Sequence, residues 1–405
     1  RREVDEESTN TDYALNLQTK LTDRLSLSLD GDYTKSVKKN LDVSIMGSTW
    51  ADQELDLTGD LPVVIPHKPN YLGYSWAGPN PTLGAMSDAQ YFADKRVQFW
   101  RSAMDHIENS TGSEFQFRGD LAYDFDETSF LRQLKFGARY ADRDQTVRYT
   151  TYNWGVLSEV WAGNTPVSVS QVGSGNVDFY AFPDFFRGQS PGPAGAYYYN
   201  GDLIGDYAGS STFAKSVNAA WVANGGNAGW VPLAERGGVA TGTAFLPSEI
   251  QPVSQQDTAL YLQAKFGSED FGGMRLSGNI GVRYVSSDIR SDGQISVGTQ
   301  QQLGISQPYS VRCAPVTRPG IGGTIPAGGL CSTLNATQYA ALQTFANGSN
   351  LFDSAQSNYD YFLPSFNAKL GVSDDVNFRF AASKVLTRPD NAYLRNFLNT
   401  GLDGA

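Results

Sequence analysis

Histidine is nearly absent: His67 and His106 are the only two in 405 residues, which leaves little for a histidine-dependent triad or metal site. Cysteine is as scarce, with Cys313 and Cys331 alone. No stretch approaches the roughly eighteen unbroken apolar residues that a helical transmembrane span needs, so that architecture is excluded. Basic residues are outnumbered, 31 Lys and Arg against 42 Asp and Glu. The resulting net charge of −11 and pI near 4.7 argue against nucleic acid as a partner, because that binding rests on cations neutralising phosphates. Gly173-Ser174-Gly175 lacks the third glycine of a dinucleotide fingerprint.

What the chain does have is glycine, aromatics and alternation. Its 42 Gly, 22 Phe, 21 Tyr and 7 Trp favour short strands and loops over helix bundles. Four times, two runs of alternating apolar and polar residues meet at a short turn. Tyr13, Leu15, Leu17 and Leu21 oppose Asn16, Gln18 and Lys20; after a turn, Leu25, Leu27, Leu29 and Tyr33 oppose Ser26, Ser28, Asp30 and Asp32. Successive side chains of a strand point to opposite faces, so each run has one apolar and one polar side. The second pair sets Phe115, Phe117, Leu121 and Tyr123, then Leu134, Phe136 and Tyr140, against Gln116, Arg118, Asp120, Lys135 and Arg139. A third runs through Leu260, Leu262, Phe266, Leu276, Ile280, Val282 and Tyr284, and a fourth through Phe362, Phe366, Leu370, Val376, Phe378 and Phe380. No charge interrupts the apolar phase of any of the eight runs.

The connections are unequal. Strand pairs near 13–45, 113–153, 256–297 and 358–390 are separated by long loops near 46–112, 154–255 and 298–356, all within a single domain, 1–405. Short turns at one end and long loops at the other are how a transmembrane β-barrel is built, whereas a soluble β-sandwich has short loops at both ends. Tyr33, Tyr140 and Tyr284 at the loop ends, with Phe125 and Phe266 at the turn ends, sit where interfacial girdles belong. About ten residues at ~3.3 Å, tilted ~45°, span about 23 Å of hydrocarbon. The expected class is therefore all-β: about eight antiparallel strands of a barrel segment with long extracellular loops. The uneven spacing of Phe92, Val97 and Trp100 predicts a short loop helix within 88–103.

Several stretches resemble the barrel of a TonB-dependent receptor, in particular the long-looped type that Gram-negative bacteria use for carbohydrate uptake. Leu363-Pro364-Ser365-Phe366-Asn367 and the run from Phe378 to Pro389 carry the resemblance most strongly. Leu57-Thr58-Gly59-Asp60-Leu61-Pro62-Val63-Val64, Pro66-His67-Lys68-Pro69-Asn70 and Phe185-Phe186-Arg187-Gly188 also read like family segments. The resemblance implies a barrel of about 22 strands in the outer membrane, gated by an N-terminal plug and driven by the TonB complex. No stretch resembles the plug, the TonB box or the last barrel strand, and no leader opens the chain at Arg1, so a fragment of a larger receptor is expected.

The expected ligand is a small molecule or oligosaccharide, with a ferric siderophore as alternative; outer-membrane lipid surrounds the barrel, and no catalytic residue, cofactor or metal is assigned. A glycan-binding β adhesin that transports nothing would use the same loops. All seven tryptophans lie in or beside the long connections. The loop aromatics Trp76, Trp100, Trp154, Trp161, Phe182, Phe185, Phe186, Tyr198, Trp221 and Trp230 are the candidate ligand contacts, since aromatic faces stack on sugar rings and planar ligands; packing of the loops on themselves is the alternative. Lys20, Arg118, Arg139, Lys265, Arg283, Lys369 and Arg379 are expected to face the lumen or plug, where water or opposite charge meets them. Asp52, Glu54, Asp56 and Asp60 could hold Ca²⁺ through oxygen ligands, but they lack the EF-hand pattern. Cys313 and Cys331, eighteen positions apart in an oxidising compartment, are expected to close a loop as a disulfide worth ~3 kcal/mol on the chain-entropy model. A zinc site is the rival, but no histidine lies nearby and the spacing fits no zinc motif.

Overall fold

The computed structural model describes residues 1–69, 85–158, 166–224, 226, 230–300, 303–317, 323–390 and 393–399. The alternating runs form four antiparallel hairpins. They pair Arg2–Lys20 with Leu25–Thr49, Gln98–Asp124 with Leu131–Arg148, Ile250–Ser268 with Arg275–Ser296, and Asn350–Gly371 with Asn377–Ser383. These eight strands are neighbours in chain order within one sheet. Among the described residues the first and last do not pair, so the sheet is open. The class is the expected one, antiparallel β with few helices. Several strands outrun their alternating cores, and Leu25–Thr49 reaches 25 residues.

Two compact units emerge from the contacts. The sheet unit comprises Ser8–Lys38, Asn109–Arg148 and Phe245–Ala405; the loop unit comprises Arg1–Glu7, Lys39–Glu108 and Tyr149–Ala244.

In the sheet unit the register keeps like with like. Tyr123 faces Leu134, Leu134 faces Ala264, Ala264 faces Ile280, Ile280 faces Phe366 and Phe366 faces Ala382. One residue along, Asp124, Gln133, Lys265, Asn279 and Asn367 form a polar row in the same way. A slip by a single position would turn every apolar side chain to the polar face, so this register is what the alternation specifies. The apolar face is bare: Phe136 is 51% exposed, Ile280 54%, Phe362 65% and Phe378 63%. A soluble sandwich would bury these residues under a second sheet. Within the connection 298–349, a small separate core gathers Ile305, Tyr339 and Ala346.

The loop unit is built the other way round. Val43, Ile45, Trp100, Ala103, Leu157, Val167, Val169, Leu203, Ala214, Val217, Trp221 and Trp230 pack into one buried cluster. Its main helix, Tyr207–Ala223, starts where the Asp206 side chain accepts from the Gly209 amide, and it turns Ser210, Ala214, Val217 and Trp221 inward at helical spacing. The helix expected within 88–103 is confined to Asp88–Phe92, capped by Ser87 and Gln90. Beyond it, residues 102–105 pair with Val156 to Asn153. Strand pairing thus overrides the loose helical spacing of Val97 and Trp100.

Candidate ligand-binding surfaces

Of the ten loop aromatics proposed from sequence, three are withdrawn into the loop-unit core. Trp100, Trp221 and Trp230 are at most 5% exposed. The indole of Trp100 donates to the Val172 carbonyl at 2.8 Å and that of Trp230 to the Asn153 carbonyl at 3.0 Å, as buried indoles should. These rings hold a long connection compact, and Trp100 in addition borders a cavity. Trp76 and Trp161 lie outside the described residues. Trp154 and Phe186 are exposed, and Phe182, Phe185 and Tyr198 are half-buried.

Among the accessible rings, Tyr198 stands on a hairpin of Val177–Tyr180 and Ala196–Tyr199, and Phe182 packs against it. Edge-to-face contacts join Tyr180 to Phe182 at 4.8 Å, Phe182 to Tyr198 at 6.0 Å and Phe185 to Phe186 at 4.8 Å. Phe182, Phe186 and Arg187 have φ of 50°, 46° and 58°, a left-handed conformation that L side chains rarely adopt. Such positions cost about 1–3 kcal/mol each and persist only where surrounding structure demands them. A cavity of about 170 Å³ opens beside Trp100, Tyr197, Tyr198 and Tyr199, with Ser48, Thr49 and Gln98 supplying polar groups.

On the polar face of the sheet unit the expected cations separate into two sets. Tyr261 lies over Gly137 of the next strand and reaches Asp120 beyond it. A Cβ at Gly137 would collide with the Tyr261 ring, so the ring lies flat only because that position has no side chain. The Tyr261 hydroxyl donates to the Asp120 carboxylate and accepts from Arg118 at 3.0 Å. Asp120 is buried, and Arg118 at 2.9 Å and Lys135 at 3.4 Å neutralise it. Arg118, Lys135 and Arg283 stand 5.9, 5.9 and 5.7 Å from the Tyr261 ring centroid, within cation–π range. Arg139 donates to Gln116 at 2.6 Å and pairs with Glu114 at 3.5 Å. Lys20, Lys265, Lys369 and Arg379 are exposed and, among the described residues, have no carboxylate partner.

Two further features were seen first in the structure, and the cysteine pair has the expected bond. Asp105 is fully buried, and its carboxylate accepts from Tyr207 at 2.5 Å, from the Leu233 amide at 2.8 Å and from Asn153 at 2.7 Å. Burial pushes its pKa up against those hydrogen bonds, and burial also raises that of Tyr207. The one hint in the sequence is a lone Asp after Ala103-Met104. His67 lies between two carboxylates, with Nδ1 2.9 Å from Asp88 and Nε2 3.5 Å from Glu54; the Asp88 hydrogen bond raises its pKa. Because the acids engage opposite ring nitrogens, they cannot share one ion with the imidazole, and no metal-binding group occurs among the described residues. Cys313 and Cys331 are joined as a disulfide with a Cα separation of 5.3 Å.

No family model matches the chain, and no curated protein matches it. Two solved structures do, the open and closed forms of the ferric-catecholate import receptor Fiu from E. coli K12, with TM-scores of 0.37 and 0.38 and identities of 9% and 10%. The matches cover 93% of this chain but 35% and 33% of those chains, so this chain spans about a third of their length. Likeness this loose assigns neither family nor ligand.

Proposed function

We propose that this chain is part of the barrel of a TonB-dependent transport receptor in the outer membrane of a Gram-negative bacterium. The observation that carries the reading is the bare apolar face of the sheet unit. Large apolar side chains on successive strands stay exposed in register, and a contiguous patch of that extent is rare on a soluble monomer. Hydrocarbon is the medium that such a face fits, and the opposite face, lined by Lys, Arg, Asn and Gln, suits a wet lumen. Substrate would be captured at the exposed loop aromatics and pass inward when the TonB complex pulls on a plug. The carbohydrate class rests on sequence resemblance alone.

Fractionation of cells expressing the full-length protein tests the reading. Recovery with the outer membrane, resistant to carbonate extraction, is expected; recovery in the aqueous phase would replace the transporter with a soluble adhesin. Growth of a receptor-deleted strain on single sugars and on chelated iron tests the substrate. A defect on iron alone would replace the sugar with a ferric chelate.

A further inference from the structure

Building on the transporter reading, we propose that the turn end of the sheet unit's polar face is a binding subsite for a hydroxyl-rich anion, a sugar carrying carboxylate or phosphate. The chain as a whole is strongly acidic, with a net charge of −11. Against that background, a groove of about 640 Å³ on this face is lined by Lys20, Lys135 and Lys265 with Asp120 as its single carboxylate. Asp120 is already neutralised by Arg118 and Lys135. The amines of Lys20 and Lys265 are left without an internal counter-ion among the described residues.

A concave surface with an excess of cations focuses the field and concentrates the opposite ion. Gln18, Gln133 and Gln263 line the same groove, with the hydroxyls of Ser26 and Ser28 beside them. Amides and hydroxyls both donate and accept, which suits a polyol and adds nothing for a bare inorganic ion. Ammonium groups supply the charge recognition.

The experiment is titration of the full-length receptor in detergent with trigalacturonate, an acidic trimer, and with maltotriose, a neutral one. The Lys20→Gln, Lys265→Gln double variant serves as the paired comparison, because neither lysine holds an internal ion pair and its fold should persist. Wild type is expected to bind trigalacturonate about tenfold more tightly than maltotriose, and the double variant to lose that margin while binding maltotriose unchanged. Equal affinities in wild type, or a margin that survives the double substitution, would overturn the proposal. Displacement of trigalacturonate by an equal concentration of inorganic phosphate would overturn it too, since the groove would then read charge alone. Wild type that binds neither trimer would overturn it as well, since the groove would then be closed to a soluble acidic sugar. Fractionation reports on transport separately: a soluble protein with a lysine-dependent preference would refute the transporter and leave the subsite standing.

Discussion

In the loop unit the largest apolar side chains are inside: Trp100, Trp221, Leu157 and Val217 are sealed from solvent. In the sheet unit Leu15, Phe136, Ile280 and Phe378 are outside, on the face away from the charges. One chain therefore treats its surroundings in two opposite ways. Water drives apolar groups into a core, whereas lipid accepts them at the surface and makes polar groups turn inward. The contrast teaches that an apolar residue in this protein is informative only together with its element. Trp100, Trp221 and Trp230 in the long connections are core, whereas Phe136 and Phe378 in the hairpins are surface.

Removing a ring from the inside of the loop unit should have the largest effect. Trp221→Ala leaves a cavity in the buried cluster and is expected to destabilise that unit by about 3–5 kcal/mol, read as faster proteolysis within 149–244. Trp154→Ala, at an exposed ring, should leave proteolysis unchanged. The same protection for both variants would erase the distinction between the two tryptophans.

Next comes the outside of the sheet unit. Ile280→Arg puts a charge on the apolar face and should cost ~2–4 kcal/mol at mid-depth in a bilayer, blocking assembly of the full receptor. Asn279→Arg, one residue away on the polar face, should assemble normally. Heat-modifiable mobility of outer-membrane extracts separates the two, and equal assembly would mean that the apolar face does not meet lipid.

The smallest effect belongs to the loop unit's ion pairs. His67 has its pKa raised by the hydrogen bond to Asp88 and, after the opposing effect of desolvation, by Glu54. A group raised on folding stabilises fully below its unfolded value, about pH 6.5, and that stabilisation is lost as pH climbs through the raised value. Amide exchange in Asp88–Phe92 should therefore be slower at about pH 5.5 than at about pH 8.5, beyond the intrinsic rate change, and His67→Gln should flatten the difference. A persisting difference in the variant would assign the tie to another group.

Much of the sheet was legible because its signal is local. A period of two over Leu260 to Phe266 and over Leu276 to Tyr284 marks each strand and its faces, and Gly267 to Gly273 marks the turn. Polar-face cations such as Arg118 and Arg283 followed from the same count. Their convergence on Tyr261 did not, since it depends on Gly137 of a strand more than a hundred residues earlier in the chain. The loop unit was least legible. Nothing near Trp100 or Trp230 in sequence announces that the two rings belong to one core, and the helix Tyr207–Ala223 was missed within the long connection.

By itself, the sequence determined the hairpins, their phase and the side of each strand that carries charge, because alternation is a property of neighbours along the chain. Only the tertiary structure decided which aromatics are accessible, which cations are neutralised, and that Asp105 is buried among Tyr207, Asn153 and Leu233. Those outcomes depend on residues brought together from distant segments, and burial and counter-charge are set by what meets in space.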